Sequence, residues 1–148
     1  MQAVQTTTEQ QLEDAFYIRK KVFVEEQKVP LELEIDEFEN ESAHFVLYDQ
    51  DEPIGAGRFR TIDKIGKVER ICIMPSYRGM GAGKIIMQTI EHFAKDNKIQ
   101  QLKLHAQTYA IPFYEKLGYK VCSEEFMDAG IPHKTMIKQV NEEKTLLD

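Results

Sequence analysis

Apolar positions along the chain change their period several times, and each change marks an element. After Thr8, the residues Leu12, Ala15, Phe16, Val22 and Phe23 recur at helical spacing, with Arg19 among them. A first helix is therefore predicted to run to about Val24. Thr8 and Gln11 have the spacing of a capping box, and residues 3–7 ahead of them read as a short strand. Residues 30–41 show no period and are acidic, so they are expected to be irregular. Alternating and apolar runs then predict strands over 43–48, 54–60 and 68–74, with polar turns between them. A long helix follows over 81–95, with Ile85, Ile86, Ile90 and Phe93 on its buried side. Strands are predicted again over 99–105, 120–124 and 134–140, and a short helix between the first two of these. The order is strand, helix, three strands, helix, strand, helix, two strands, an α/β (α+β) chain of mostly antiparallel character.

Composition narrows the class. With 148 residues, 42% apolar and 30% charged, the chain suits one soluble core. A single domain is expected over residues 1–140, followed by a polar tail over 141–148 that frays. No apolar run approaches a membrane span, and no leader pattern opens the chain. A net charge of −6 argues against nucleic acid as a partner. Cys72 and Cys122 both lie in apolar runs, so two buried free thiols are expected rather than a disulfide. A cytoplasmic protein follows. His44, His92, His105 and His133 lack metal-ligand spacing and two cysteines make no zinc pattern, so no metal is expected.

The chemistry concentrates between the strand over 68–74 and the long helix, in Met74-Pro75-Ser76-Tyr77-Arg78-Gly79-Met80-Gly81-Ala82-Gly83-Lys84. A glycine-rich turn into a helix lets several backbone N–H groups converge on one anion, and the helix dipole adds to the attraction. Spacing excludes two familiar phosphate loops. A Walker A loop would need glycine at Arg78 and a hydroxyl at Ile85. A dinucleotide fingerprint would need glycine at Lys84 or Ile86. What remains is Arg78-x-x-Gly81-x-Gly83. It resembles the acyl-CoA pyrophosphate loop of the GNAT N-acetyltransferases.

A second motif follows the strand over 99–105. Gln107, Ala110, Phe113, Tyr114, Gly118 and Tyr119 resemble that family's Asn-x-x-Ala-x-x-Phe-Tyr-x-x-x-Gly-Phe, with Gln in place of Asn and Tyr in place of Phe. The resemblance covers roughly residues 1–140, and the two motifs are its specific part. It implies the GNAT acyl-CoA N-acyltransferase fold, a mixed, mostly antiparallel sheet flanked by helices and splayed at an acyl-CoA cleft. It implies acetyl-CoA as acyl donor and an amine as acceptor. By position, Arg78, Gly79, Met80, Gly81, Ala82, Gly83 and Lys84 would hold the pyrophosphate. Ile71, Cys72 and Ile73 would line the thioester, with the Ile73 amide donating to its carbonyl. Gln107, Phe113 and Tyr114 would meet the pantetheine arm. Tyr114 stands where the family keeps its frequent general acid. Glu69 is the candidate general base, with an ion pair to Arg58, Arg60 or Arg70 as its alternative role. A covalent role for Cys72 is discounted, since nothing nearby in sequence would activate it and the family transfers directly.

Acceptor specificity in this fold comes from the first helix, the loop after it and the last strands. Here these carry Glu26 and Gln27, then Glu32, Glu34, Asp36, Glu37, Glu39 and Glu41, and later His133. Both segments resemble those of a small bacterial subgroup of the family with undefined substrates. The carboxylates read either as a rim attracting a cationic amine or as a solvated charge run. Glu26, Gln27, His105 and His133 are the candidate acceptor-binding residues. Three functions compete: an N-acetyltransferase for a small amine or peptide, a non-catalytic acyl-CoA sensor, and an interaction protein docking through the acidic loop. A monomer or a homodimer fits each.

Overall fold

The computed structural model describes residues 1–141. The predicted fraying of the tail beyond Asn141 lies outside the described residues. The described residues form two compact units, residues 1–60 with 68–90, and residues 61–67 with 91–141.

The first unit opens with β1 (Gln2–Gln5) and α1 (Glu9–Arg19). Thr8 caps α1, its hydroxyl accepting from the Gln11 amide at 3.1 Å. The return bond of the predicted capping box lands one residue earlier: the longer Gln11 side chain accepts from the Thr7 amide at 2.7 Å. The helix does not stop near Val24 but widens into a π-helical segment, Lys20–Glu26. Ala15, Ile18 and Val22 are buried against Val46, Ala56 and Cys72. Arg19 is fully buried beside them. The acidic stretch is less irregular than expected, since it holds the one-turn helix α2 (Leu31–Glu34) and a 3₁₀ turn, Glu39–Glu41.

Strands β2 (Ala43–Asp49), β3 (Glu52–Ile62) and β4 (Ile65–Ile73) continue the order β1-β2-β3-β4. β1 pairs antiparallel with β2 from Gln2↔Tyr48 to Gln5↔Phe45, and β2 with β3 from Ala43↔Phe59 to Asp49↔Glu52. Phe45, Val46 and Leu47 are all fully buried, the signature of a strand covered on both faces. Helix α3 (Ala82–Asp96) packs closely on β3 because β3 presents Gly55 and Gly57. A Cβ on Gly57 would come within 2.7 Å of Ile71 Cδ1 and 3.2 Å of Ile90 Cδ1. Ala82, Ile86, Met87, Ile90 and Ala94 form the buried stripe of α3, while the predicted Ile85 and Phe93 flank it half-buried.

The second unit is built on β5 (Gln101–Gln107), followed by a 3₁₀ turn, Thr108–Ala110, and α4 (Ile111–Lys116). α4 ends as its sequence predicts. Gly118 has φ 98°, the Tyr119 amide donates to the Tyr114 carbonyl at 3.1 Å, and the Gly118 amide donates to that of Glu115 at 3.0 Å. That pair of bonds is a Schellman cap. β8 (Ile131–Gln139) pairs antiparallel with β5 from Gln101↔Gln139 to Gln107↔His133. β6 (Lys120–Val121) is shorter than the predicted strand over 120–124. There the Ser123 hydroxyl takes the Thr135 amide at 2.8 Å, replacing a ladder carbonyl and ending the pairing. Cys122 is exposed, against expectation, like the whole of the short strand β6 before it, while Cys72 is buried, and both thiols are free. β7 (Phe126–Asp128) was not predicted, and β8 begins three residues earlier than the strand foreseen over 134–140. Ala129 and Gly130, at φ 51° and 77°, make the two-residue turn between them.

Candidate active site

The glycine-rich loop grows from the end of β4. The Met74 amide donates to the Ile54 carbonyl at 2.8 Å, and Pro75–Tyr77 make one 3₁₀ turn. Gly79 and Gly81 adopt φ 79° and 83°, and a Cβ at either would meet open space among the described residues. Glycine is required there by backbone conformation rather than by crowding. The Ile85 amide donates to the Gly81 carbonyl at 3.2 Å, so α3 starts directly from the loop. The first amides of a helix have no acceptor within it and carry the positive end of its dipole. Ala82-Gly83-Lys84 therefore form a polarised edge beside the exposed Met80 and Lys84.

Arg78 projects from this loop to an unexpected partner. Its Nε donates to the Ile73 carbonyl at 2.9 Å, and its two terminal nitrogens donate to the Glu26 carboxylate at 2.7 and 2.6 Å. Burial of Glu26 is slight, and its hydrogen bonds from Arg78 hold its carboxyl below the ordinary range. Gln27 follows at the end of the π-helical segment, its amide donating to the Val22 carbonyl at 3.0 Å.

On β4 the side chains of Ile71 and Ile73 lean onto Gly57 and Gly55 of β3. Cys72 faces the α1 cluster instead, with its Sγ 4.0 Å from the Ala56 carbonyl. Burial, with the charge of Glu34, pushes its thiol well above the ordinary value. A thiolate nucleophile is not accessible in that setting, in keeping with the discounted acyl-enzyme. Arg70 interrupts the strand with φ 60°, a left-handed residue that turns its side chain toward the acidic loop.

Glu69 is held by two arginines. Its Oε1 accepts from Arg58 at 3.0 and 3.2 Å and from Arg60 Nε at 3.1 Å. Burial alone would raise its pKa, but the charge of Arg58 and the bonds from Arg60 outweigh it and keep the carboxyl below its ordinary value. Arg58, wholly buried, also forks onto Asp36 at 2.7 and 3.1 Å. Arg19 donates to Glu34 at 2.8 Å and to both oxygens of Glu39 at 2.9 and 2.8 Å. Arg70 reaches Glu34 at 3.3 Å and Asp36 at 3.2 Å. Four guanidinium groups thus balance Glu34, Asp36, Glu39 and Glu69. Both readings of the acidic loop, a rim attracting a cationic amine and a solvated run, fail for Glu34, Asp36 and Glu39. They face inward because the buried arginines demand counter-ions. Glu32, Glu37 and Glu41 remain exposed. The network was legible only as the alternative role of Glu69; Arg58 and Arg60, two apart on one strand face, were its signal.

In the second unit, Tyr114 is buried on α4, edge to face with Phe113 at 5.0 Å and with Tyr119 at 5.8 Å. Gln107 closes β5, half-buried opposite His133. His105 is exposed on β5, its Nδ1 3.3 Å from the Thr135 hydroxyl and its ring edge-on to Phe126 at 5.1 Å. Partial burial of its ring, with Lys67 and Lys103 nearby, lowers its pKa. Phe126 stacks in turn on His133 at 6.0 Å. His133 is buried, and its Nδ1–H donates to the Ile131 carbonyl at 2.7 Å. The structure therefore joins His105 and His133 through Phe126, which sequence reading missed together with β7. Among the described residues, no group of three or more acidic, histidine or cysteine side chains is arranged to hold a metal, and no helix is long and apolar enough to cross a membrane.

Comparison with known proteins supplies the family. Residues 3–140 match the model of the acetyltransferase (GNAT) domain. The chain is 56% identical over 139 residues to the uncharacterised N-acetyltransferase YjcF of Bacillus subtilis (strain 168), covering 93% of this chain and 99% of that one. A Lactobacillus plantarum protein of known crystal structure superposes with a TM-score of 0.88 at 27% identity, over 95% of this chain and 98% of that one. An aminoglycoside 6'-N-acetyltransferase solved with coenzyme A superposes with a TM-score of 0.77 over 97% of this chain and 99% of that one; at 15% identity that likeness is one of fold. A domain match that runs almost the length of the chain, with a relative 56% identical over nearly all of it, makes this protein a member of the GNAT family, an acyl-CoA-dependent acetyltransferase.

Proposed function

We propose that this protein transfers the acetyl group of acetyl-CoA to a primary amine of a small molecule or peptide, by direct attack in a ternary complex, as one domain over residues 1–140. The observation that carries this reading is the loop from Arg78 to Lys84, whose two left-handed glycines feed the N-terminus of α3. Such an edge suits a pyrophosphate. Gly79, Met80, Gly81, Ala82, Gly83 and Lys84 would bind it through backbone amides, and Arg78 through its guanidinium. The Ile73 amide would polarise the thioester carbonyl and hold the charge that develops there, with Ile71 and Cys72 beside it. Gln107 and Phe113 would meet the pantetheine arm. Glu26 and Gln27 of the first unit, and His105 and His133 of the second, are the proposed acceptor-binding residues.

A protonated amine must lose a proton before its nitrogen can attack the carbonyl carbon. Glu69, ionised at neutral pH, would take that proton through a water. As the C–S bond breaks, the Tyr114 hydroxyl would protonate the departing CoA thiolate. The reaction belongs in the cytoplasm, where acetyl-CoA is made.

One observation favours a second reading, a non-catalytic acyl-CoA sensor: Arg58 and Arg60 occupy the lone pairs of Glu69 that a base would use. Tyr114→Phe separates the two. In the enzyme it lowers turnover by about 10²-fold with little change in CoA affinity; in the sensor it changes neither.

Calorimetric titration with acetyl-CoA, CoA and NAD⁺ tests the loop. Saturable binding of acetyl-CoA, abolished in a folded Gly81→Glu variant, supports the assignment. Absence of binding by any CoA species sinks the transferase and sensor readings together.

A further inference from the structure

Arg78 is held on two sides. Its Nε is tied to the Ile73 carbonyl at the end of β4, which fixes the plane of the guanidinium. The remaining pair of terminal nitrogens forms the planar fork that matches a carboxylate or a phosphate group. That fork is filled by Glu26, with both oxygens engaged at 2.6 and 2.7 Å. The two residues lie 52 positions apart, so the contact is not a by-product of local helix geometry. Their side chains are 43% and 39% exposed, unlike the arginine pairs around Glu34 and Glu39. A buried pair holds the fold together; a pair this open contributes little to folding and is easily exchanged for another anion.

We propose that Glu26 is a built-in competitor at the donor site: its carboxylate occupies the Arg78 fork in the free protein, and the phosphate of an acyl-CoA must displace it. This rests on the acyl-CoA reading of the loop. A phosphate oxygen cannot share the fork with Glu26, because both terminal nitrogens are already committed and two anions would then face each other. Donor binding is therefore an exchange of one anion for another at Arg78. Glu26 sets the donor's affinity from outside the glycine loop, by a cost charged to the free protein.

The exchange predicts a gain of affinity on removing a charge that a favourable contact would not give. Glu26→Gln keeps the side chain's length and removes its charge. CoA and inorganic pyrophosphate are titrated calorimetrically into wild type and into this variant, with unfolding temperatures measured alongside. Glu26→Gln is expected to bind CoA about two- to fivefold more tightly, the range set by an exposed ion pair. Pyrophosphate affinity should rise by the same factor, since the same pair is broken, while the unfolding temperature moves by no more than about 4 °C. Equal or weaker CoA binding by the variant, with wild type still binding, overturns the competitor role and leaves the loop assignment standing. Failure of both proteins to bind CoA or pyrophosphate overturns the loop assignment and the competitor role with it.

Discussion

Arg19 and Glu34 meet at 2.8 Å with the guanidinium fully buried and the carboxylate only 3% exposed. One sits on the apolar face of α1 and the other at the end of α2. Glu39 completes the neutralisation of Arg19, and the Glu34 backbone carbonyl takes a further bond from Arg19 Nη2 at 2.7 Å. An acidic loop thereby becomes an interior element. Its carboxylates are the counter-ions without which Arg19 of α1 and Arg58 of β3 could not be buried.

Removing Arg19 should therefore be costly in a way that its helix position does not suggest. Arg19→Met fills much of the volume but leaves Glu34 and Glu39 without their main partner. A loss of about 3–5 kcal/mol in unfolding free energy is expected from breaking a buried pair on one side. Glu37→Gln, at an exposed position of the same loop, should stay within about 0.5 kcal/mol of wild type. Urea unfolding midpoints of the two variants measure the contrast directly.

The same network sets the acid limb of stability. Burial opposes ionisation of Glu39, but Arg19, the Asp36 amide and Arg58 overcome it and bring its pKa from the usual 4.5 down to about 2. A carboxyl whose folded pKa is depressed stabilises the fold wherever it is ionised in both states. Its contribution is complete above about pH 4.5 and drains away as the pH falls toward 2. Glu34 works in the opposite direction, since burial raises its pKa despite Arg70 and Arg19, and its protonation favours the fold as acid is added. Glu39→Gln should thus lower stability at pH 7 by something on the order of 3 kcal/mol. The gap from wild type should close between pH 4.5 and 2, as read by denaturant titrations across that range. A gap that stays constant with pH would show that Glu39 acts through packing and not through charge.

What could be read in the sequence was what short-range chemistry decides. Thr8 as a cap, Gly118 as a helix stop and the glycine loop after β4 each depend on neighbours within a few residues, and each formed where expected. Arg19 was read as one more position at helical spacing because nothing within a turn announces that Glu34 and Glu39 will close over it. Glu26 and Arg78 were both singled out, yet their pairing spans 52 residues and depends on how α1 runs on through its π-helical segment. β7 was missed because its three residues are too few to show a period, although Ala129-Gly130 before the apolar Ile131 is a turn signal. The end of β6 was misplaced for a subtler reason. Ser123 continues the chain past the strand while its side chain, rather than its backbone, holds Thr135.

The glycines of β3 offer a test of close packing near the glycine loop. A Cβ at Gly55 would lie 2.8 Å from Ile73 Cδ1, 2.9 Å from Ile86 Cδ1 and 3.1 Å from the Cys72 carbonyl. At Gly57 the three nearest atoms are all side-chain methyls of Ile71, Ile90 and Ile86. Methyl groups can swing aside, whereas a strand carbonyl cannot. Both alanine variants should lose stability by about 1–3 kcal/mol, with Gly55→Ala the worse. Pairing Gly55→Ala with Ile86→Val should recover part of its loss, and a thermal scan of the single and double variants reads it.

Tyr119 carries the last prediction, and its sign is the reverse of the others. Its side chain is 2% exposed and its hydroxyl has no hydrogen-bond partner among the described residues. Burial, with Glu91 and Tyr114 nearby, drives its pKa far above the ordinary value, so the group stays neutral and undonated. The ring itself is well used, edge to face with Tyr114 and 5.9 Å from the Lys138 ammonium. Removing only the oxygen keeps those contacts and relieves a buried polar group that is left unsatisfied, a condition that costs about 1–3 kcal/mol. Tyr119→Phe, which also restores the residue of the family's motif, should stabilise the protein by about 1 kcal/mol and raise its unfolding temperature by about 2–4 °C. A clear loss of stability instead would reveal that the hydroxyl is bonded through a bridging water, and would assign Tyr119 a polar role beside Tyr114.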